Sequence, residues 1–261
     1  MSDGINVFIL SILQGIAEFL PISSSGHLVL AKNLLGLESP GVRLEVALHV
    51  GTLFSVVVFY WETILGLIKG AFTGCRDSWR MIANIVVSIL PAIIFYLICH
   101  KAVDATFEST RAVGVALVFT GVVLCALRWV PGRSGGVTLP RAVAIGLAQA
   151  VAILPGVSRS GMTIAMARMS GVAPEKSAEF SFLISLPLIV GATLKEALFS
   201  HPSADIAEAQ VSLGLLVMGA VVAGGVGYVA LKLLVRMLRG HSFWWFGVYC
   251  LAAGVLTLAF L

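Results

Sequence analysis

The 261-residue chain is short of charge: Asp, Glu, Lys and Arg make up 11% of it, against about 25% in ordinary soluble proteins. So little charge cannot clothe a soluble globule, and that class is excluded. Runs of like charge are also missing, and the net charge of +4 is spread along the chain. No nucleic-acid partner is therefore expected. Cysteine is scarce: Cys75, Cys99, Cys125 and Cys250 stand far apart. That spacing argues against a disulfide framework or a cysteine metal site, and the four read as small hydrophobes. No Lys or Arg precedes the first apolar stretch, so no cleaved signal peptide is expected. What the chain does have is apolar mass. Hydrophobic residues make up 59% of it and the mean hydropathy is +1.01, so it reads as an all-α polytopic membrane protein.

A membrane-crossing helix needs about 20 mostly apolar residues. Six stretches qualify: 44–64, 81–99, 111–130, 177–198, 211–233 and 243–261. Two more, 5–31 and 141–166, are broken by LPISSSG and LPGVSRSG. Each reads as a re-entrant helix hairpin that enters and leaves on one side. For one such segment, a plain span followed by a Ser-rich loop would serve equally well.

Repetition favours the hairpins. A shift of 135 places Gln14 on Gln149 and SSSG (23–26) on SRSG (158–161). Neighbouring shifts carry Glu45 onto Glu179, Glu62 onto Glu196, and Gly114 and Gly121 onto Gly247 and Gly254. Repeat 1 (about 1–132) and repeat 2 (about 133–261) are each one hairpin plus three transmembrane helices. The total is six full spans and ten helical segments. Three is odd, so the repeats lie in opposite orientation, an inverted-topology arrangement frequent in transporters.

Basic residues test this topology. With both termini outside, the inner segments hold eleven: Lys69, Arg76, Arg80, Arg128, Arg133, Arg141, Arg168, Lys176, Lys232, Arg236 and Arg239. The outer segments hold five: Lys32, Arg43, Lys101, Arg111 and Lys195. The excess inside is the usual orientation signal, to which the outer Asp104, Glu108, Asp205 and Glu208 add little.

The broken stretches then acquire a purpose. Pro21 and Pro155 end the inbound helices, and the serines that follow are good N-caps for the outbound ones. A helix N-terminus attracts anions, and Gly26 and Gly161 remove side chains that would hold an oxyanion off the backbone. Two tips meeting inside the membrane would cradle a pyrophosphate, helped by Ser25, Ser158 and Ser160. Arg159 lies in the second tip with a fork suited to phosphate oxygens. Glu18 and Gln14 lie one turn apart in the first inbound helix, and His27 follows the serines. Intramembrane charge is costly and marks function by default. Simpler roles stand beside these. Arg159 can neutralise Glu18 as a structural pair, Ser24 can be only a cap, and His27 can be a satisfied interior histidine. Gln14 can hydrogen-bond across helices. Glu45 and Glu179 divide evenly between structure and function, and His49 reads as packing or hydrogen bonding. Trp61, Trp244 and Trp245 read as interfacial anchors, and Gly224, Gly225 and Gly227 as a close helix contact.

QGIAEFLPISSSGH and LPGVSRSG, with EFSFLISLP from Glu179 to Pro187, resemble the BacA-type undecaprenyl-pyrophosphate phosphatases along nearly the whole chain. The resemblance implies an integral enzyme of the bacterial inner membrane. It would remove one phosphate from a polyprenyl pyrophosphate, recycling the lipid carrier for peptidoglycan synthesis. It further implies an active site toward the outer face, Mg²⁺ or Ca²⁺ as cofactor, and a link to bacitracin resistance. The family's motif glutamates fall on Gln14 and Glu18, its serine on Ser24, its histidine on His27 and its arginine on Arg159. Many members carry glutamate where Gln14 stands. Glutamine is neither a base nor an anionic metal ligand, so weight shifts to Glu18.

The expected chemistry is phosphoryl transfer, which is mostly positioning and charge stabilisation. Ser24, or a water in its place, attacks the terminal phosphorus. His27, three residues on and on the same helix face, is the expected general base. Glu18 holds the cation or orients His27. The rival class is a polyprenyl-phosphate flippase, alone or combined with the phosphatase. Expected partners are the lipid substrate and the membrane, with a homodimer left open.

Overall fold

The computed structural model describes residues 3–35, 42–107, 109–199 and 211–261. Glu108, Asp205 and Glu208, and the side chains of Lys32, Lys195 and Glu196, lie outside the described residues. Within them regular structure is helical, apart from one bridge between Gly135 and Val172. The helices are α1 (Asp3–Phe19), α2 (Ser24–Leu35), α3 (Val42–Phe59), α4 (Trp61–Phe72), α5 (Arg76–Phe107), α6 (Thr110–Ala126), α7 (Leu139–Val151), α8 (Arg159–Met169), α9 (Pro174–Phe199), α10 (Leu213–Arg239) and α11 (Trp245–Phe260).

These are eleven helices among the described residues, where the sequence pattern predicts ten. The difference lies in the stretch 44–64, which breaks at Tyr60 and bends by 75° into α4. No residue of α4 is buried, and it carries Glu62 and Lys69. A straight continuation would carry both charges along the helix with no packing to compensate them. Among the described residues, three helices are long and apolar enough to cross a membrane: α5, α10 and α6 with its trailing turn to Trp129. The bent pair makes a fourth if counted as one span. The stretch 177–198 lies within α9, while α11 covers 16 residues of 243–261. The broken segments are shorter still. α1 has 17 residues and α7 has 13, about 25 and 20 Å at 1.5 Å each.

Close backbone approach holds the bundle together, as expected where helices cannot gain by escaping water. α6 packs on α11 through glycines: a Cβ on Gly121 would lie 2.8 Å from Gly247 O, and one on Gly254 would lie 2.8 Å from Gly114 O. The glycines matched by the repeat therefore face one another. α10 packs on α1 and α3, with Gly224 against Gly51 and Gly227 against Phe19 and Ser55, whereas Gly225 meets nothing. α5 packs on α7, where the Ser88 hydroxyl donates to Ala142 O at 2.9 Å and Gln149 Nε2 donates to Ser88 O at 3.1 Å. The largest core cluster includes Phe19, Tyr60, Phe182, Leu231 and Leu234, and it lies against the end of α1.

Three connections share one end of the bundle. Arg239 Nε pairs with Glu175 Oε1 at 3.0 Å, Ala173 N donates to Gly135 O at 2.9 Å, and Arg128 lies over the Trp244 ring at 4.9 Å. All four cysteines are free.

Candidate active site

Each tip is built by the same local chemistry. α1 stops at Phe19, two residues before Pro21, because proline disfavours helical backbone in the residue it follows. Ser23 takes a left-handed φ of 69°, and its hydroxyl accepts the Gly26 N–H at 3.3 Å, capping α2. In the second tip the chain turns after Val151, passes Gly156 at φ 90°, and starts α8 under the cap of Ser158. That hydroxyl accepts the Gly161 N–H at 3.1 Å.

The two tips touch. The Ser23 hydroxyl also accepts the N–H of Gly156 at 3.1 Å. A Cβ on Gly26 would lie 2.9 Å from Gly156 Cα, and one on Gly161 would lie 3.2 Å from Pro21 Cβ. The approach these two glycines permit is therefore that of one tip to the other. Their N–H groups, expected to face an anion, are already given to serine hydroxyls. The second tip is braced by Thr120 of α6, which takes the Ser158 N–H at 3.3 Å and donates to Gly156 O at 3.1 Å.

Polar groups converge at this junction. Arg159 Nη2 pairs with Glu18 Oε1, joining residues 141 apart in sequence. The other carboxylate oxygen of Glu18 accepts Gln14 Nε2 at 3.1 Å and the Ser24 hydroxyl at 3.2 Å. His49 of α3 places Nε2 at 3.5 Å from Gln14 Nε2 and 4.0 Å from Glu18 Oε2. The Glu18 side chain is 5% exposed and that of Arg159 is 29% exposed. The carboxylate is thus the sequestered partner and the guanidinium the accessible one.

Above the junction opens a cavity of about 950 Å³. Glu18, Ser24, Ser25, Ser158, Arg159 and Ser160 line its polar part, with Glu45 and His49. Ile89, Ile93 and Leu97 of α5, Ile153 after α7, and Leu188 and Ile189 of α9 form apolar wall. A charged floor under greasy walls suits a ligand with an anionic head and a hydrocarbon tail.

The "Bacitracin resistance protein BacA" family model matches residues 7–256. This chain belongs to the BacA family. It is 40% identical over 264 residues to the undecaprenyl-diphosphatase of Rhodopirellula baltica, covering 99% of this chain and 98% of that one. Identity to the undecaprenyl-diphosphatase of Desulfatibacillum aliphaticivorans is 38% over 275 residues, covering 97% of each. The protein of the same name from Salinibacter ruber is 36% identical over 264 residues, covering 96% of each.

Within this BacA-family chain the expected residues divide. Glu18, Ser24, Ser25, Ser158, Arg159 and Ser160 meet at the cavity, and Gln14 stands just behind Glu18. The pairing of Ser24 with His27 does not form. His27 Nδ1 donates to Ser23 O at 2.9 Å, and its Nε2 lies 2.7 Å from the Tyr249 hydroxyl, with the two rings stacked. A helix that starts at Ser24 carries His27 off toward α11, so the ring braces the tip from outside the cavity. The histidine that faces Glu18 is His49. Its sequence signal was Glu45, one turn earlier and matched to Glu179 in the second half, though nothing in the pattern said that α3 would lie against α1. Glu179 is half-buried and does not line the cavity. Ser23 was expected as a cap but not as the tie to the second tip, and Thr120 was missed, since a buried hydroxyl in an apolar helix has no distinguishing pattern.

For a resident Mg²⁺ or Ca²⁺ the donor set is poor. Both oxygens of Glu18 are committed, and among the described residues no three His, Cys, Asp or Glu side chains gather to hold an ion. These side chains do not fit a resident divalent cation.

Proposed function

We propose that the meeting tips are the active site of an undecaprenyl-diphosphatase. It releases inorganic phosphate from undecaprenyl diphosphate and leaves undecaprenyl phosphate, the lipid carrier reused in peptidoglycan synthesis. The observation that carries this reading is the Arg159–Glu18–Ser24 cluster on the floor of an apolar-walled cavity. The name shared by the full-length relatives agrees with it.

The pyrophosphate takes the guanidinium fork of Arg159, whose planar donors match phosphate oxygens. That frees Glu18 Oε1 from the guanidinium and leaves the carboxylate facing Ser24. The Ser24 hydroxyl, already donating to Glu18, gives up its proton as its oxygen forms a bond to the terminal phosphorus. The bond from that phosphorus to the bridging oxygen breaks, and its electron pair leaves on undecaprenyl phosphate. Water then attacks the phosphoserine phosphorus, the bond from phosphorus to the Ser24 oxygen breaks, and the proton held on Glu18 returns to that oxygen as inorganic phosphate leaves. With a water standing in for Ser24, the same acceptor serves and the second step disappears. The structural-pair role of Arg159 and its binding role are thus two states of one group. Any Mg²⁺ or Ca²⁺ would be brought by the pyrophosphate rather than held by these side chains.

The proposed frame is the inverted repeat, 1–132 against 133–261, with six crossings and two re-entrant hairpins. It is supported by matching partners: α1 lies on α10 as α7 lies on α5, and α6 lies on α11. The cavity is lined by the start of α3 and the later parts of α5 and α9, the ends that the basic-residue bias assigns to the outer face. The Arg128, Arg239 and Glu175 contacts join connections assigned to the inner face.

A flippase reading draws on the same broken helices meeting in the bundle, which transporters use for binding sites. Phosphate release from undecaprenyl diphosphate in detergent separates the two, because detergent leaves no sides to transport between. Release supports the enzyme; none, with transport retained in vesicles, supports the flippase.

A further inference from the structure

His49 has no role in that scheme, yet its contacts complete a chain of fixed polarity. Its Nδ1 lies 2.8 Å from the backbone oxygen of Glu45. A carbonyl can only accept, so Nδ1 carries a proton, and Nε2 accepts where it faces a donor. The amide of Gln14 is oriented as independently. Its nitrogen lies 3.1 Å from Glu18 Oε2, and a carboxylate oxygen demands a donor there. The same nitrogen lies 3.5 Å from His49 Nε2, so its two hydrogens are divided between His49 and Glu18. The Ser24 hydroxyl closes the series by donating to Glu18 Oε2 at 3.2 Å. Every group from Glu45 to Ser24 then has one allowed sense.

We infer that His49 is a positioning residue that aims the nucleophile, acting through Gln14 and Glu18. The inference rests on the phosphatase reading. An acceptor at position 49 holds the Gln14 amide with nitrogen, not oxygen, toward Glu18. Glu18 is thereby kept in the rotamer that receives the Ser24 proton, and the serine lone pair is left free for phosphorus. Without that acceptor the second amide hydrogen loses its partner, and Gln14 is no longer pinned in the place from which it holds Glu18. A misplacement of about 1 Å at a reacting group costs up to ~10²-fold in rate. This role also accounts for glutamine at position 14. A carboxylate there would face both the Nε2 lone pair and Glu18, whereas an amide satisfies both.

The test is a double-mutant cycle in phosphate release by the purified full chain, with kcat and KM measured separately. His49→Leu is expected to lower kcat about 10- to 100-fold with KM nearly unchanged. His49→Lys, which keeps a long polar side chain but offers only donors, should lose as much. It is the second arm should His49→Leu not fold. His49→Gln restores an acceptor and should recover most of the loss. In a Gln14→Leu background the His49 variants should cost little more, because the residue acts through Gln14. Additive losses, or a His49→Lys enzyme as fast as its parent, overturn the inference while leaving the phosphatase standing. Absence of phosphate release by the parent chain overturns both.

Discussion

The hydroxyl of Ser23 accepts the backbone N–H of Gly156 at 3.1 Å, while accepting that of Gly26 at 3.3 Å. One buried side chain thus caps a helix and ties two hairpin tips from opposite halves of the chain. Ser23→Ala leaves both amides without a partner, and the expected loss is about 2 kcal/mol of stability. Thermal unfolding in detergent measures it. Ser24→Ala should leave the melting temperature nearly unchanged, since the Ser24 hydroxyl only donates to an already satisfied carboxylate.

Glu18 and the pyrophosphate compete for one guanidinium. Glu18→Gln should therefore bind inorganic pyrophosphate at least as tightly as the parent, because Arg159 no longer has an anion to leave. Arg159→Lys keeps the charge but loses the fork, and should bind about tenfold more weakly, the equivalent of ~1.4 kcal/mol. Calorimetric titration of the two variants gives the answer. Weaker binding by both would mean that Glu18 helps to hold the ligand.

His27 braces the first tip against Tyr249. Tyr249→Phe keeps the stacked ring and removes only the hydroxyl, so about 1 kcal/mol of stability should go. Activity should follow at saturating substrate by no more than a few-fold. A loss of ~10²-fold without a change in unfolding temperature would return His27 to the chemistry.

Gly156 holds φ at 90°, and a Cβ there would lie 2.6 Å from Val113 O. Both facts forbid a side chain at the point where the second tip meets α6. Gly156→Ala should destabilise the fold by more than about 2 kcal/mol. Gly66→Ala is the control: nothing lies within 4 Å of that exposed helical site, where alanine should be neutral or stabilising by up to about 1 kcal/mol.

The membrane class, the two broken segments and the polar groups of their tips were legible in the sequence. Apolar mass, proline and intramembrane charge act locally, and local rules read them well. Pairing across the fold was less legible. The glycines of α6 and α11 could be matched by shift, but only packing brings Gly121 against Gly247. His27 looked reactive because it follows Ser24 by one turn, yet that turn carries it to Tyr249. His49 looked like packing because its partners stand on α1, 35 and 31 residues earlier. The bend at Tyr60 was missed because Glu62 and Lys69 are too few to interrupt an apolar pattern, and nothing local announces that no residue of α4 is buried.

The central claim is that phosphate is released where the two tips meet, with Glu18 taking the nucleophile's proton. It is tested most directly by the rate of inorganic phosphate release from undecaprenyl diphosphate in detergent, comparing the parent with Glu18→Gln at equal, folded concentrations. The expected result is steady release by the parent and a fall of about 10³-fold in the variant, with ligand binding retained. Equal rates in the two proteins would contradict the account.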